Sequence, residues 1–155
     1  MTVMTMTLTK PVDTTERLSG LDQTAPAPRV VASFGLGLDS TSLIVRWLTD
    51  PTSRDFDLSE LAVVSAMTGH ESLATISAMN RLILPMLAKH SVRFIQVARA
   101  QRRTTRAGAG VVVLDDSRSP SRLYAEGVYT LGDEMLSAAR SEERRVGKEC
   151  LRLCR

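Results

Sequence analysis

Residues 29–48 read RVVASFGLGLDSTSLIVRWL, and the fold turns on how this stretch divides. Arg29 to Ser33 is a short apolar run that ends at a glycine-bearing loop, the pattern of a buried strand. Leu43, Ile44, Trp47 and Leu48 recur at i, i+1, i+4 and i+5, which puts one apolar stripe on a helix. Between them lies Phe34 to Thr41, FGLGLDST, with Asp39 or Ser40 expected to cap the helix. A strand that turns through glycine into a helix aims unpaired N–H groups and the positive end of the helix dipole at one spot. Gly35 and Gly37 let the backbone come close to a ligand. Ser40 and Thr41 add hydroxyl donors. The set suits an anion with several oxygens, such as a phosphate chain; an ordinary capped strand–helix turn has the same spacing.

Outward from this stretch, strands and helices alternate. Asp50-Pro51 stops the first helix, and TSRDFDLSE reads as a polar connection. Leu61 to Ala66, LAVVSA, is a second buried strand closed by Thr68-Gly69. A helix from about Ser72 carries Leu73, Ile76, Met79, Leu82 and Ile83 on one face, and Pro85 is expected to kink or divide it. Val92 to Ala98 is a third strand. Arg99 to Gly110 is a loop with four arginines. Val111 to Leu114 is a short fourth strand, DDSRSPSR a turn, and Leu131 to Ala139 a helix with Met135, Leu136 and Ala139 on one side. This order predicts an α/β fold with a mostly parallel sheet. Right-handed crossovers then bring the loops after the strands to one edge, where such folds bind ligands. There the 34–41 loop is expected to meet Met67-Thr68-Gly69 and the chain from Arg99 onward. Residues 1–28, rich in Thr with Pro11, Pro26 and Pro28, read as a mostly disordered leader.

The chain has 155 residues, a net charge of +3 and two cysteines. Much of that character sits at its end. Arg140 to Cys150, RSEERRVGKEC, reads as a translated short-read sequencing adapter. Residues 140–155 are therefore set aside as a non-native tail, and the natural chain is expected to continue beyond Ala139. The tail holds six of the 20 basic residues, three of the 17 acidic ones and both cysteines, Cys150 and Cys154. The remaining 139 residues are neutral overall, which removes the apparent basicity that points to nucleic acid. Without cysteine they build no disulfide, no cysteine-ligated metal and no thiol nucleophile. A cysteine-free body fits the cytoplasm. No apolar run reaches the roughly 18 residues that span a membrane, and no membrane partner is expected.

Three known phosphate loops can be set against FGLGLDST. A Walker loop needs Lys followed by Ser or Thr after its second glycine, and none stands here. A dinucleotide fingerprint needs a third glycine where Ser40 stands, and an acidic residue at the end of the second strand, where Ala66-Met67 stands. The third fits better. Gly37, Leu38, Asp39, Ser40 and Thr41 resemble the second half of the loop of the PP-loop ATP pyrophosphatase superfamily (the adenine nucleotide alpha hydrolase-like proteins), Ser-Gly-Gly-x-Asp-Ser followed by Ser or Thr. Met67-Thr68-Gly69 stands where the phosphoadenosine phosphosulfate reductase-like branch has Asp-Thr-Gly. Gly35 departs from the family's serine and Leu36 from its first glycine. Met67 replaces an aspartate.

The resemblance covers about 29–139 and implies a Rossmann-like three-layer fold, here truncated at the C-terminus. It implies a site of Ser33, Gly35, Leu36, Gly37, Asp39, Ser40, Thr41, Thr68 and Gly69 around ATP or a related adenine nucleotide, with Mg²⁺. The implied parent reaction cleaves ATP between its α and β phosphates or reduces an adenylyl sulfate, and the 155-residue chain alone is expected to be inactive. Asp39 either shapes the loop or assists the metal. The alternatives are a non-catalytic nucleotide- or partner-binding module of the same fold and, further off, a dinucleotide-binding oxidoreductase. His70-Glu71 reads first as a polar helix start, His90 as a helix-end charge, Asp115-Asp116 as turn chemistry, and Arg99, Arg102, Arg103 and Arg106 as a solvated loop. No aromatic residues interleave with those arginines, so a nucleic-acid partner is not expected.

Overall fold

The computed structural model describes residues 18–103 and 110–138. Strand β1 is Val30–Ser33, helix α1 Leu38–Thr49, strand β2 Leu61–Met67, helix α2 Leu73–Ala78, helix α3 Leu84–Lys89, strand β3 Arg93–Arg99 and strand β4 Val111–Ser117. A last helix, α4, covers 131–138. The sheet runs β1-β2-β3-β4. The first three strands are parallel and β4 is antiparallel to β3, so the mixed α/β architecture with a mostly parallel open sheet is as the sequence order predicts.

Helices α1, α2 and α3 pack on one face of the sheet. Ile44 and Leu48 of α1 join Met79, Ile83, Leu84 and Leu87 over Val63 and Phe94 in one buried cluster. Trp47 packs edge-on against Phe56, ring centroids 5.2 Å apart. Phe56 is buried, so the segment read as a polar connection also supplies core. It does so through two short 3-10 turns, Pro51–Ser53 and Leu58–Glu60, capped by Asp50 and Asp57.

Proline shapes the second crossover. Pro85 has no N–H to give to the carbonyl four residues back. The helix answers with a π turn over Met79–Ile83, where the N–H of Leu84 bonds the oxygen of Met79 five residues back. Leu73 and Leu82 of the expected apolar face are exposed, while Met79 and Ile83 are buried; the π turn rotates the stripe partway.

Several expectations are corrected. Asp39 and Ser40 do not cap α1: the helix begins at Leu38 behind Gly37, with no side-chain cap. Asp115, Asp116 and Ser117 lie in β4 rather than a turn. Aspartate is unfavourable in a strand, but Asp116 is held by the buried guanidinium of Arg93 at 2.6 Å, and Asp115 faces the Nε2 of Gln96 at 3.4 Å. Arg99 belongs to β3, not to a solvated loop; Arg106 lies outside the described residues. Met135 and Leu136 on α4 are exposed rather than packed.

The second face of the sheet is covered unevenly. Residues 18–28, the end of the segment read as a leader, form no helix or strand but are tied to it. The N–H of Asp22 donates to Asp116 at 2.7 Å, and Arg93 donates to the carbonyl of Asp22 at 3.3 Å. Toward the other end of this face, Val31, Ser33 and Ala66 are exposed, so the described helices α1 to α3 make two layers with the sheet rather than three.

Candidate functional site

The 34–41 loop is rooted by Phe34, which is buried. Its N–H donates to Val64 at 2.8 Å, and its carbonyl accepts the Ser65 hydroxyl at 2.9 Å. These bonds fix where the chain leaves the sheet. The next residue with a special conformation is not a glycine. Leu36 has φ of 59°, in the left-handed region that a side-chain-bearing residue enters at a cost of about 1–2 kcal/mol. Its side chain, 8% exposed, turns into the core cluster, and that burial offsets the strain.

Gly35 and Gly37 differ from it. Neither has a positive φ, and a Cβ added to either meets no atom within 4 Å. Both are exposed. Nothing in the chain itself demands glycine at either position; what they leave is open backbone. Gly37 is extended, and α1 starts at the next residue. Helix geometry leaves the first N–H groups of α1 without partners, and among the described residues no acceptor meets the N–H of Leu38, Asp39 or Ser40. The hydroxyls of Ser40 and Thr41 both donate to the carbonyl of Gly37, at 3.3 and 2.7 Å. Asp39 is exposed. The loop thus gathers free amides, two hydroxyls and bare backbone at the end of a 12-residue helix, an arrangement able to hold an oxyanion.

Ser33 ends β1, paired with Val64. Thr68 and Gly69 follow β2, the neighbouring parallel strand, so the two loops leave adjacent strands about 5 Å apart at one edge. Among the described residues no hydrogen bond joins the 34–41 loop to Thr68 or Gly69. Their partners lie elsewhere. The Thr68 hydroxyl donates to Glu71, and its carbonyl accepts the N–H of Leu131 at 2.8 Å. Gly69 has φ of 80°, and a Cβ there would lie 2.5 Å from the methyl of Thr130, so this position does demand glycine. His70 Nε2 accepts the N–H of Gly132 at 3.0 Å.

Residues 129–132 therefore form a strap over the end of β2, a feature the sequence reading did not find. Tyr129 bridges to Arg99. Thr130 caps α4: its hydroxyl bonds Asp133 at 2.8 Å, and the N–H of Asp133 returns to it at 3.2 Å. That Thr-x-x-Asp spacing is a capping signature and was the available signal. The Thr130 bonds hold the Asp133 carboxyl below the usual range. Beneath the strap is a cleft of about 270 Å³ lined by Ala66, Val97, Val111, Tyr129, Leu131 and Arg99, among others. Among the described residues no group of three or more His, Cys, Asp or Glu side chains converges as a metal site, and no helix is long and apolar enough to cross a membrane.

No protein-family model, no curated protein and no solved structure matches the chain significantly.

Proposed function

We propose that the chain is the adenine-nucleotide-binding domain of a PP-loop ATP pyrophosphatase or phosphoadenosine phosphosulfate reductase-like enzyme, with 34–41 as its pyrophosphate loop. The observation that carries this reading is the backbone of Leu36. With Asp39 and Ser40 in register with the motif, Leu36 stands where the motif has a glycine, and its φ of 59° is the conformation that favours glycine. At that position the leucine takes a backbone conformation that a glycine adopts without strain, which supports the register. The open backbone at Gly37 supports the same register.

In this reading an oxygen of the substrate attacks the α phosphorus of ATP, and the bond to pyrophosphate breaks. The charge on the leaving pyrophosphate is met by the N–H groups of 38–40 and the hydroxyls of Ser40 and Thr41. Each hydroxyl first gives up its bond to the Gly37 carbonyl by turning about χ1. Asp39 is the only carboxylate in the loop, which fits a Mg²⁺ held mainly by nucleotide phosphates and water; such an ion neutralises phosphate charge. The parent fold is then a Rossmann-like three-layer sandwich. No cysteine occurs before residue 140, so nothing in 29–139 supports the reductive chemistry itself.

One observation favours a second reading, a nucleotide- or partner-binding module without catalysis. Ser40 and Thr41 are both already bonded to the Gly37 carbonyl. Two measurements on the full-length gene product separate the readings: ATP binding by calorimetry and pyrophosphate release. Release supports the enzyme, binding without release supports the module, and absence of binding by any adenine nucleotide defeats both.

A further inference from the structure

The cleft under the strap is a different place from the 34–41 loop. Its floor is Ala66 and Val97, paired neighbours on β2 and β3, and its walls are Val111, Leu131, Tyr129 and Arg99. The surface is mostly apolar, with one guanidinium. That guanidinium lies 5.4 Å over the Tyr129 ring, and its Nε is buried without a hydrogen-bond partner among the described residues. A buried donor left unpaired is unusual and calls for an acceptor.

The charge beside the cleft is unbalanced as well. Glu134 pairs with both Arg99, at 3.5 Å, and Arg102, at 3.4 Å, and accepts the Tyr129 hydroxyl at 3.0 Å. One carboxylate thus answers two cations. The three donors converge on one carboxylate, and the two ion pairs are long and partly exposed, hence weak.

We infer that this cleft binds a small organic anion, an apolar body on Ala66, Val97, Val111 and Leu131 with its oxyanion on Arg99 and Arg102. Glu134 occupies the anion position until the ligand displaces it. The site shares Thr68 with the nucleotide site that the resemblance implies, but its apolar body and its arginines do not depend on the 34–41 loop. A volume of about 270 Å³ admits a single ring or short branched chain, below the size of a typical drug-sized ligand.

The test is calorimetric titration of the 155-residue chain with benzoate, phenyl sulfate and phenyl phosphate, with benzyl alcohol and inorganic phosphate as controls. At least one aryl anion is expected to bind ten-fold or more tightly than either control, and the preferred one identifies the oxyanion. Arg99→Gln is expected to weaken binding at least ten-fold, and Glu134→Gln to tighten it. Because Arg99→Gln can also disturb the strap, Ala66→Phe, at an exposed strand position, fills the cleft instead and is expected to abolish binding with the circular dichroism unchanged. Equal binding by wild type and a folded Ala66→Phe chain overturns the proposal, as does no binding by any aryl anion. ATP titrated into the same variants keeps the two sites apart: loss of ATP binding in Ala66→Phe makes the cleft part of the nucleotide site and defeats the separate one.

Discussion

At Leu36 two terms of similar size oppose each other. The left-handed backbone costs about 1–2 kcal/mol, and full burial of a leucine side chain is worth roughly 1.5–3 kcal/mol. Leu36→Gly removes both, so the variant is expected to lose about 1 kcal/mol of stability in urea titration, well short of the usual core-leucine deletion. Gly37 behaves differently. Gly37→Ala meets open space, and the poorer helix cap is offset by lower unfolded-state entropy, so its stability is expected to stay within about 1 kcal/mol of wild type. The chemistry of the loop was legible, since Gly37, Asp39, Ser40 and Thr41 stand out by type and spacing. Which residue turns the backbone was not. Glycine announces freedom, but the turn falls where buried contacts compensate it, and a leucine packed in the core does so here.

Among the elements, β4 shows most clearly how tertiary partners override local preference. Asp115-Asp116 reads as a turn, yet Arg93 on β3 makes Asp116 a strand residue, and the same pair pins residues 18–28 through Asp22. The side chains of Arg93 and Asp116 are 8% and 3% exposed. Removing one partner of such a pair strands a buried charge, so Asp116→Ala is expected to cost roughly 3 kcal/mol and to release Asp22, seen as faster exchange of its amide hydrogen. The Arg93 hydrogen bonds, with a further bond from the Asp22 N–H, hold the Asp116 carboxyl below its usual range. A lowered folded value means that the contribution is complete above the ordinary carboxylate range near 4 and fades as pH falls through the folded value. Wild type is therefore expected to lose stability below about pH 4 more steeply than Asp116→Asn. Equal slopes in wild type and Asp116→Asn would count against the pair. In the β2 loop, Gly69→Ala combines a strained φ with a clash at Thr130 and is expected to destabilise by more than 1 kcal/mol. Pro85 was legible as a division of the second crossover, but the π turn that accommodates it was not, because its register depends on which of Met79 and Ile83 reach the core.

At the scale of the whole sheet, the described residues leave one face open toward the β1 end. The strand order follows from the alternation of strands and helices, and three parallel strands with short crossovers were legible from it. The reversal at β4 was not: nothing local in VVVL sets its direction. Strand β1 is an edge of the described sheet, and its Val31 is 62% exposed, with Leu38, Leu43, Leu131, Met135 and Leu136 also exposed. An apolar edge of this kind promotes pairing with another chain. The 155-residue chain is expected to self-associate with rising concentration in sedimentation velocity, and Val31→Lys to shift the distribution toward monomer. A monomer at all concentrations, unchanged by Val31→Lys, contradicts that expectation. The alternative of an active, self-sufficient fragment predicts the same monomer together with ATP turnover.

The central claim is that 34–41 holds the phosphates of an adenine nucleotide through bare backbone at Gly37. Its most direct test is ATP calorimetry on wild type and Gly37→Ala, with urea unfolding run in parallel. The account predicts that wild type binds and that Gly37→Ala, equally stable, binds at least ten-fold more weakly. Equal binding by the two chains, or no binding by wild type, contradicts it.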